Sequence, residues 1–254
     1  MRIGFIGTGT ISAAVIEGLQ SLPDAPDIVV SPRSETTSLA LATRFPKVSR
    51  ASSNAEVARA DMVFLGMRPM HLEEAMTGID FAEGQIVASM VAGFGLADIK
   101  ARWPRATVCR FIPLPGIARG RGPMATYPAV PEIVKLMSPL GDLFIAPDET
   151  RIHFGGLNSF MSSYYELQRA LIDAGTGAGL SQSDARGFVV SLLGMLADTA
   201  QHTPDAAFDK LVEEHQTKGG LNERVRAALL EQGWFDKPQA VLNATTTLSY
   251  KKLG

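Results

Sequence analysis

The pattern of hydrophobic and polar positions changes character near residue 150. Before that point, short apolar runs rich in β-branched residues alternate with helical stretches. This alternation predicts an α/β domain over residues 1–150, built on a parallel, doubly wound sheet. Strands are expected at residues 3–6, 28–30, 62–67, 86–90, 107–112, 125–127 and 143–145.

The second part of the chain carries helical periodicity instead. Apolar residues recur three and four positions apart, in Leu167 and Leu171, in Phe188, Val189, Leu192, Leu193 and Leu196, and in Leu221, Val225 and Leu229. Such spacing places apolar side chains on one face of a helix, so residues 151–254 are predicted to form an all-α domain. Because one small domain does not easily cover several apolar stripes, we expect a homodimer or a dimer-based oligomer.

The first predicted strand ends in a glycine-rich turn that leads directly into a predicted helix. In such a turn the first glycine allows the tight bend, and the second lets the backbone approach a pyrophosphate. A small side chain at Ser12 lets the helix pack on the strand, and the helix amides then receive the phosphate oxygens. The context predicts a Rossmann-type dinucleotide site rather than a purely structural turn, with cofactor contacts from Gly7, Thr8, Gly9, Thr10 and Ile11.

The end of the second predicted strand indicates which dinucleotide binds. The segment Ser31-Pro32-Arg33-Ser34 lacks the carboxylate that favours NAD through the ribose 2′-hydroxyl. A guanidinium and hydroxyl groups can instead hold a 2′-phosphate through charge-assisted hydrogen bonds. We therefore expect NADP (NADPH) as the cofactor, contacted by Ser31, Arg33 and Ser34. The alternative is that Arg33 is a solvated turn residue.

Composition narrows the classes of partner. The net charge of the 254 residues is −2 and no block of like charge occurs, so neither nucleic acid nor an acidic membrane surface is expected as a partner. No run of about 18 apolar residues occurs, and Met1 lies too close to the first strand for a signal peptide, which predicts a cytoplasmic protein. Cys109 is the single cysteine and is expected to be a buried thiol. The scattered histidines have no metal-ligand spacing, so no metal is expected.

Several segments, in the same order along the chain, resemble the pyrroline-5-carboxylate reductases, which reduce a cyclic imine to proline with a nicotinamide cofactor. The resemblance is carried by residues 4–9, 61–69, 91–93, 173–175, 230–235 and 251–254. It implies that Asn54 contacts the adenosine of the cofactor. Residues at the carboxyl ends of two further strands are expected to line the cofactor crevice, namely Met67, Arg68, Pro69, Ala92 and Gly93. For Arg68 a solvent-facing position is the alternative.

The resemblance also places a substrate site at the start of a late helix. It implies that the amides of this turn hold a substrate carboxylate at the helix amino terminus, with contacts from Thr217, Gly219, Gly220 and Leu221. Lys218 is a candidate to pair with that carboxylate, and the alternative is a solvated turn residue. Asn222 stands where the family has a hydroxyl donor to the substrate nitrogen, and an amide can donate a hydrogen bond there. His215 is the alternative acid near neutral pH, or else a surface histidine at a helix end.

The chain departs from the family pattern where chemistry takes place. Residues 112–116 read Ile-Pro-Leu-Pro-Gly in place of Met-Pro-Asn-Thr-Pro, and residues 157–163 replace Ser-Gly-Ser-Gly-Pro-Ala-Tyr. We therefore expect an NADPH-dependent reductase of a small carboxylate-bearing cyclic imine, with the conversion of 1-pyrroline-5-carboxylate to proline in proline biosynthesis as one candidate. Two alternatives stay open: a hydroxy-acid or carbonyl dehydrogenase, and a non-catalytic NADP-binding protein.

Overall fold

The computed structural model describes residues 1–154 and 156–245 in full, and the backbone of residues 155 and 246–251. Two compact units divide the chain: the first is Met1–Phe154 and the second begins at Gly155. Of the closing segment that carries part of the resemblance, residues 252–254 lie outside the described residues.

Strands of the first unit form one eight-stranded sheet among the described residues, in the order β3-β2-β1-β4-β5-β6-β7-β8. They are β1 Arg2–Ile6, β2 Asp27–Val30, β3 Val48–Arg50, β4 Met62–Leu65, β5 Ile86–Ser89, β6 Thr107–Ile112, β7 Pro123–Tyr127 and β8 Asp142–Ile145. The first six strands run parallel in the order of a dinucleotide-binding sheet. In such a sheet the order reverses between β1 and β4, and ligands bind at the carboxyl ends of the strands there.

The doubly wound sheet predicted from the sequence is confirmed, with two differences. β3 was not predicted, because only three residues form it and only Val48 among them is buried, which is too short for a periodic signal. β7 runs antiparallel to β6, whereas a parallel arrangement was expected. The intervening segment contains only a short 3₁₀ turn at Pro115–Arg119, and a parallel crossover needs a dozen or more residues.

Helices cover both faces of the sheet. They are α1 Thr10–Gln20, α2 Glu35–Arg44, α3 Asn54–Val57, α4 Leu72–Met76, α5 Leu96–Arg102 and α6 Pro131–Met137. On one face Phe5 and Phe64 stack with ring centroids 4.8 Å apart, within a core that includes Val15 and Leu19 of α1. On the other face Trp103, at the end of α5, packs with buried strand residues such as Val87. These two cores fix the strand ends that form the candidate site.

The second unit is helical, as predicted. Its helices are α7 Met161–Gly177, α8 Gln182–His202, α9 Phe208–Glu214, α10 Leu221–Glu231 and α11 Lys237–Lys251. Several of the predicted apolar stripe residues are exposed in the single chain, namely Leu171, Phe188, Leu192, Leu196, Leu221 and Val225. Within residues 1–251, none of the helices combines the length and the apolar character needed to cross a membrane.

Candidate functional site

The two glycines of the first turn have different roles in the structure. Gly7 has a φ of +96°, and a Cβ there would lie 2.7 Å from the backbone of Gly66, just after β4. The fold itself therefore requires glycine at this position. Gly9 has an ordinary φ of −72°, and a Cβ there would meet nothing closer than the Gly66 carbonyl oxygen at 4.0 Å. Its missing side chain leaves open space at the amino end of α1.

The amino end of α1 fits a pyrophosphate. No side chain caps the helix at Gly9, and no acidic residue lies in its first turn, which begins with Thr10 and Ile11. The hydroxyl oxygens of Thr8 and Ser12 are buried and make no hydrogen bond to the described residues. Uncapped amides and the positive end of the helix dipole favour an anion here. The residues predicted from the glycine-rich motif thus lie together around a cradle that suits a dinucleotide.

Gly66 explains how a serine is accommodated in the third position of the motif. A Cβ on Gly66 would overlap the hydroxyl oxygen of Ser12, which is only 1% exposed. The sequence gives no local sign of this relation, because the two positions are 54 residues apart. The motif usually has a smaller residue at the position of Ser12. The serine side chain fits here because Gly66 has no side chain.

We expect Gly66→Ala to lower the free energy of unfolding by about 1–3 kcal/mol, the usual cost of overpacking a filled interior. In a Ser12→Ala background the same substitution should cost clearly less, because the overlapping hydroxyl is gone. Chemical denaturation of the four proteins of this cycle measures both values. Equal losses in the two backgrounds would show that Ser12 does not determine the need for glycine at position 66.

Of the three cofactor residues predicted at the end of β2, Arg33 and Ser34 lie at the surface and Ser31 is buried. The Ser31 hydroxyl accepts a hydrogen bond of 2.9 Å from the Gly7 amide, so Ser31 positions the glycine turn. Ser34 precedes α2 as its N-cap residue without a side-chain hydrogen bond. Arg33 donates from Nη1 to Oε2 of Glu74 at 2.8 Å. The acidic residue nearest along the chain, Glu35, forms an ion pair with Arg50.

The remaining predicted cofactor residues follow β4, β5 and β3. Met67 and Arg68 lie between β4 and a 3₁₀ turn that Pro69 begins, and Ala92 and Gly93 are exposed just after β5. The sheet order brings these strand ends to the same edge as the glycine turn.

Asn54, the first residue of α3, carries a polar atom that the fold leaves unused. It donates from Nδ2 to the Ala75 carbonyl oxygen at 2.9 Å, which joins α3 to α4. Its Oδ1 atom is buried and without a hydrogen-bond partner among the described residues. That acceptor is available to a hydroxyl or amino group of an adenosine.

The predicted substrate turn of the second unit is closed by its own hydrogen bonds. Gly219 has a φ of +76°, and its amide donates to Oε2 of Glu223 at 2.5 Å. The Gly220 amide donates to the Thr217 carbonyl oxygen at 2.7 Å. Both glycine amides are therefore engaged, and the amides open to a ligand are those of the first turn of α10, which begins at Leu221 and which no side chain caps. The sequence did not identify Glu223 as part of this turn.

Asn222 and His215, the two predicted proton or hydrogen-bond donors, lie in the same turn. Asn222 donates from Nδ2 to the His215 carbonyl oxygen at 2.9 Å. Its second amide hydrogen and its side-chain carbonyl oxygen are left for a ligand. The His215 ring is exposed, and its Nδ1 lies 2.7 Å from the Leu211 carbonyl oxygen, so Nε2 is the ring nitrogen that is left for a ligand. Lys218 is exposed beside them.

Other reactive groups take no part in this arrangement. Burial raises the pKa of the Cys109 thiol to about 12, so this side chain is not a nucleophile near neutral pH. Among the described residues, no group of three or more histidine, cysteine, aspartate or glutamate side chains is placed to hold a metal ion.

Comparison with known proteins supports an oxidoreductase. The family model described as "NADP oxidoreductase coenzyme F420-dependent" matches residues 2–93. A pyrroline-5-carboxylate reductase of Mycobacterium tuberculosis is 26% identical over 266 residues, which cover 91% of this chain and 85% of that protein. These similarities confirm the resemblance stated from the sequence and support an NAD(P)-dependent oxidoreductase.

Solved structures show the same fold. A pyrroline-5-carboxylate reductase of Coxiella burnetii superimposes with a TM-score of 0.86 at 19% identity, over 99% of this chain and 98% of that one. The NADP-bound pyrroline carboxylate reductase of Plasmodium falciparum superimposes with a TM-score of 0.80 at 15% identity, over 100% of this chain and 98% of that one. At these identities the likeness concerns the fold.

Proposed function

We propose that this chain, a divergent relative of the pyrroline-5-carboxylate reductases, uses NADPH to reduce a small carboxylate-bearing cyclic imine. The observation that carries the proposal is the cradle at the amino end of α1. There the space beside Gly9, the uncapped helix and the buried hydroxyls of Thr8 and Ser12 suit a pyrophosphate. 1-Pyrroline-5-carboxylate is the first candidate substrate, which would place the chain in proline biosynthesis.

In this proposal the first unit holds the cofactor. A bound NADPH supplies a hydride, and the chain supplies binding and orientation. The amides of Thr10 and Ile11 face the pyrophosphate, and the Arg33 guanidinium meets the 2′-phosphate. The open Oδ1 of Asn54 accepts from the adenosine, while Met67 and Arg68 line the crevice beyond β4.

The second unit holds the substrate in this proposal. The uncapped amides that begin at Leu221 hold the substrate carboxylate, and Lys218 adds a cation nearby. A protonated iminium already carries its proton, so orientation is enough and no strong acid is needed. The spare amide group of Asn222 can orient the substrate nitrogen, and the free ring nitrogen of His215 is the alternative donor.

One observation favours a second candidate, an imine or carbonyl compound without a carboxylate. The chain's own Glu223 carboxylate already accepts the Gly219 amide, where the resemblance implied a substrate carboxylate. A panel of cyclic imines, ketoacids and their neutral analogues, assayed through the loss of NADPH absorbance, separates the two candidates. Turnover of the acidic imines supports the first, and turnover confined to the neutral analogues supports the second.

Arg33 provides a test of cofactor choice. A charge-assisted hydrogen bond contributes roughly 1.5–3 kcal/mol, so Arg33→Ala is expected to weaken NADPH binding roughly 10- to 100-fold. NADH lacks the 2′-phosphate, and its affinity should barely change. Titration of both cofactors by fluorescence measures the two dissociation constants. Equal losses for both, or a wild-type preference for NADH, would contradict the assignment of Arg33 to the 2′-phosphate.

We further propose that the helical unit forms a homodimer. Phe188, Leu192 and Leu196 lie on α8, while Leu221 and Val225 lie on α10, and all five are exposed in the single chain. Large apolar side chains exposed on a helix face are typical of a surface that another protein covers. Sedimentation equilibrium should therefore give twice the chain mass at micromolar concentration. A folded monomer at that concentration would rule the dimer out.

A further inference from the structure

We propose that Glu74 sets the preference between NADPH and NADH by competing with the 2′-phosphate for Arg33, and that His71 is a second ligand of that phosphate. The inference rests on the proposed function, because it concerns the proposed cofactor site. It adds two residues that neither the glycine motif nor the resemblance indicated.

Glu74 connects two segments that are distant in sequence. Arg33 lies in the loop after β2, Glu74 lies in α4, and the two are 41 positions apart. The Nη1–Oε2 distance is 2.8 Å, and the two side chains are 48% and 70% exposed. In the structure, the guanidinium proposed for the 2′-phosphate is thus engaged by a carboxylate of the same chain.

The exposure of this ion pair makes it exchangeable. An exposed pair changes an equilibrium constant by no more than about fivefold. A phosphate carries about −1.5 to −2 charges and offers three acceptor oxygens, so it is the stronger partner for a guanidinium. The 2′-phosphate of NADPH therefore displaces Glu74, whereas NADH leaves the Arg33–Glu74 pair in place. The displaced carboxylate then repels the phosphate and reduces the preference for NADPH.

His71 stands beside the same guanidinium. Its Nδ1 lies 3.5 Å from Nη2 of Arg33, and it ends the 3₁₀ turn Pro69–His71 that follows β4. The ring is therefore at the carboxyl edge of the sheet, where the cofactor is proposed to bind. Because a guanidinium only donates, Nδ1 is the acceptor in this contact and the ring proton is on Nε2, whose N–H can donate to a phosphate oxygen. In this proposal Arg33 and His71 both bind the 2′-phosphate.

The adjacent Glu73 offers a matched control. It lies on the same helix and has the same charge, but its carboxylate forms two hydrogen bonds with Arg102. Those hydrogen bonds lower the pKa of the Glu73 carboxyl. Glu73→Gln therefore removes one negative charge from α4 without touching Arg33. A simple effect of net charge would appear in both variants, whereas competition for Arg33 would appear only in Glu74→Gln.

The test is a direct binding measurement by calorimetry with NADPH, NADH and 2′,5′-ADP. Glu74→Gln is expected to tighten NADPH and 2′,5′-ADP roughly two- to fivefold and to leave NADH unchanged. Glu73→Gln should change none of them, and Glu74→Gln should have no effect in an Arg33→Ala background. His71→Ala should weaken NADPH and 2′,5′-ADP roughly two- to tenfold, with NADH unaffected.

Three results would overturn the inference while leaving the proposed function standing. If Glu74→Gln bound NADPH more weakly, Glu74 would orient Arg33 for the phosphate rather than compete with it. If the affinity were unchanged, Glu74 would not compete with the phosphate for Arg33. An equal effect of His71→Ala on NADPH and NADH would exclude a phosphate ligand. If the wild-type protein bound neither dinucleotide, the proposed function itself would fail, which is a distinguishable outcome.

Discussion

Gly9→Val is expected to abolish NADPH binding while the protein stays folded. The φ of −72° at Gly9 suits any residue, and the nearest atom to an added Cβ is a carbonyl oxygen 4.0 Å away. The branched side chain would occupy the space proposed for the pyrophosphate. Each charge-assisted hydrogen bond lost costs roughly 1.5–3 kcal/mol, so the loss of two corresponds to an affinity decrease of more than about 100-fold. Calorimetric titration measures the affinity, and thermal unfolding measures the stability.

Gly7→Val is the matched control, with the opposite outcome expected. Gly7 requires a positive φ, and its added Cβ would lie 2.7 Å from the backbone of Gly66. Strain of this kind costs about 1–3 kcal/mol before the overlap is counted, so the free energy of unfolding should fall markedly. The proposed site would be contradicted if Gly9→Val bound NADPH like the wild type, or if it unfolded as readily as Gly7→Val.

Gly220→Val is expected to lower turnover about 100-fold or more while the affinity for NADPH stays the same. A Cβ at this position would lie 2.8 Å from the Thr217 carbonyl oxygen, which accepts the Gly220 amide hydrogen bond. The turn must open, and the uncapped amides that begin at Leu221 are displaced from the proposed carboxylate position. Steady-state kinetics on an identified substrate, combined with NADPH titration, separates catalysis from cofactor binding.

Gly177→Val serves as the control for this substitution. Gly177 ends α7, and beyond the backbone of its own helix a Cβ there would meet no atom within 4 Å, so the same change in volume is tolerated locally. Its turnover should match the wild type. Normal turnover by Gly220→Val would place the substrate elsewhere in the protein. A loss of NADPH affinity equal to the loss of turnover would indicate that the substitution disturbs more than the substrate turn.

Much of the fold could be predicted because its strands are short, continuous apolar runs that are buried on both faces. β1, β2 and β4 are of this kind, and each was expected within two residues of its bounds. β3 was missed because it has one buried side chain. The direction of β7 was missed because strand direction depends on the length and path of the preceding loop, which leave no hydrophobic pattern.

The candidate site could be predicted where local sequence determines it, as at Gly7 and Gly9. The relations between distant positions could not. The Ser31 hydroxyl accepts a hydrogen bond from the amide of Gly7, which lies 24 positions earlier in the chain. The missing side chain of Gly66 leaves space for the hydroxyl of Ser12. Glu223 engages the Gly219 amide four positions before it, yet no spacing rule distinguishes such a glutamate from any other in a first helical turn. These contacts follow from how the elements meet, and so only the structure reveals them.

The most direct test of the central claim is transfer of deuterium from NADPH in which both hydrogens on the reactive nicotinamide carbon are deuterium. The protein is incubated with this cofactor and, in separate reactions, with 1-pyrroline-5-carboxylate and the other imines of the panel, and each product is analysed by mass spectrometry. We predict that proline, or the cyclic amine formed from another acidic imine of the panel, gains one deuterium for each NADPH consumed. If the protein binds NADPH but transfers deuterium to none of the imines, it is not an imine reductase.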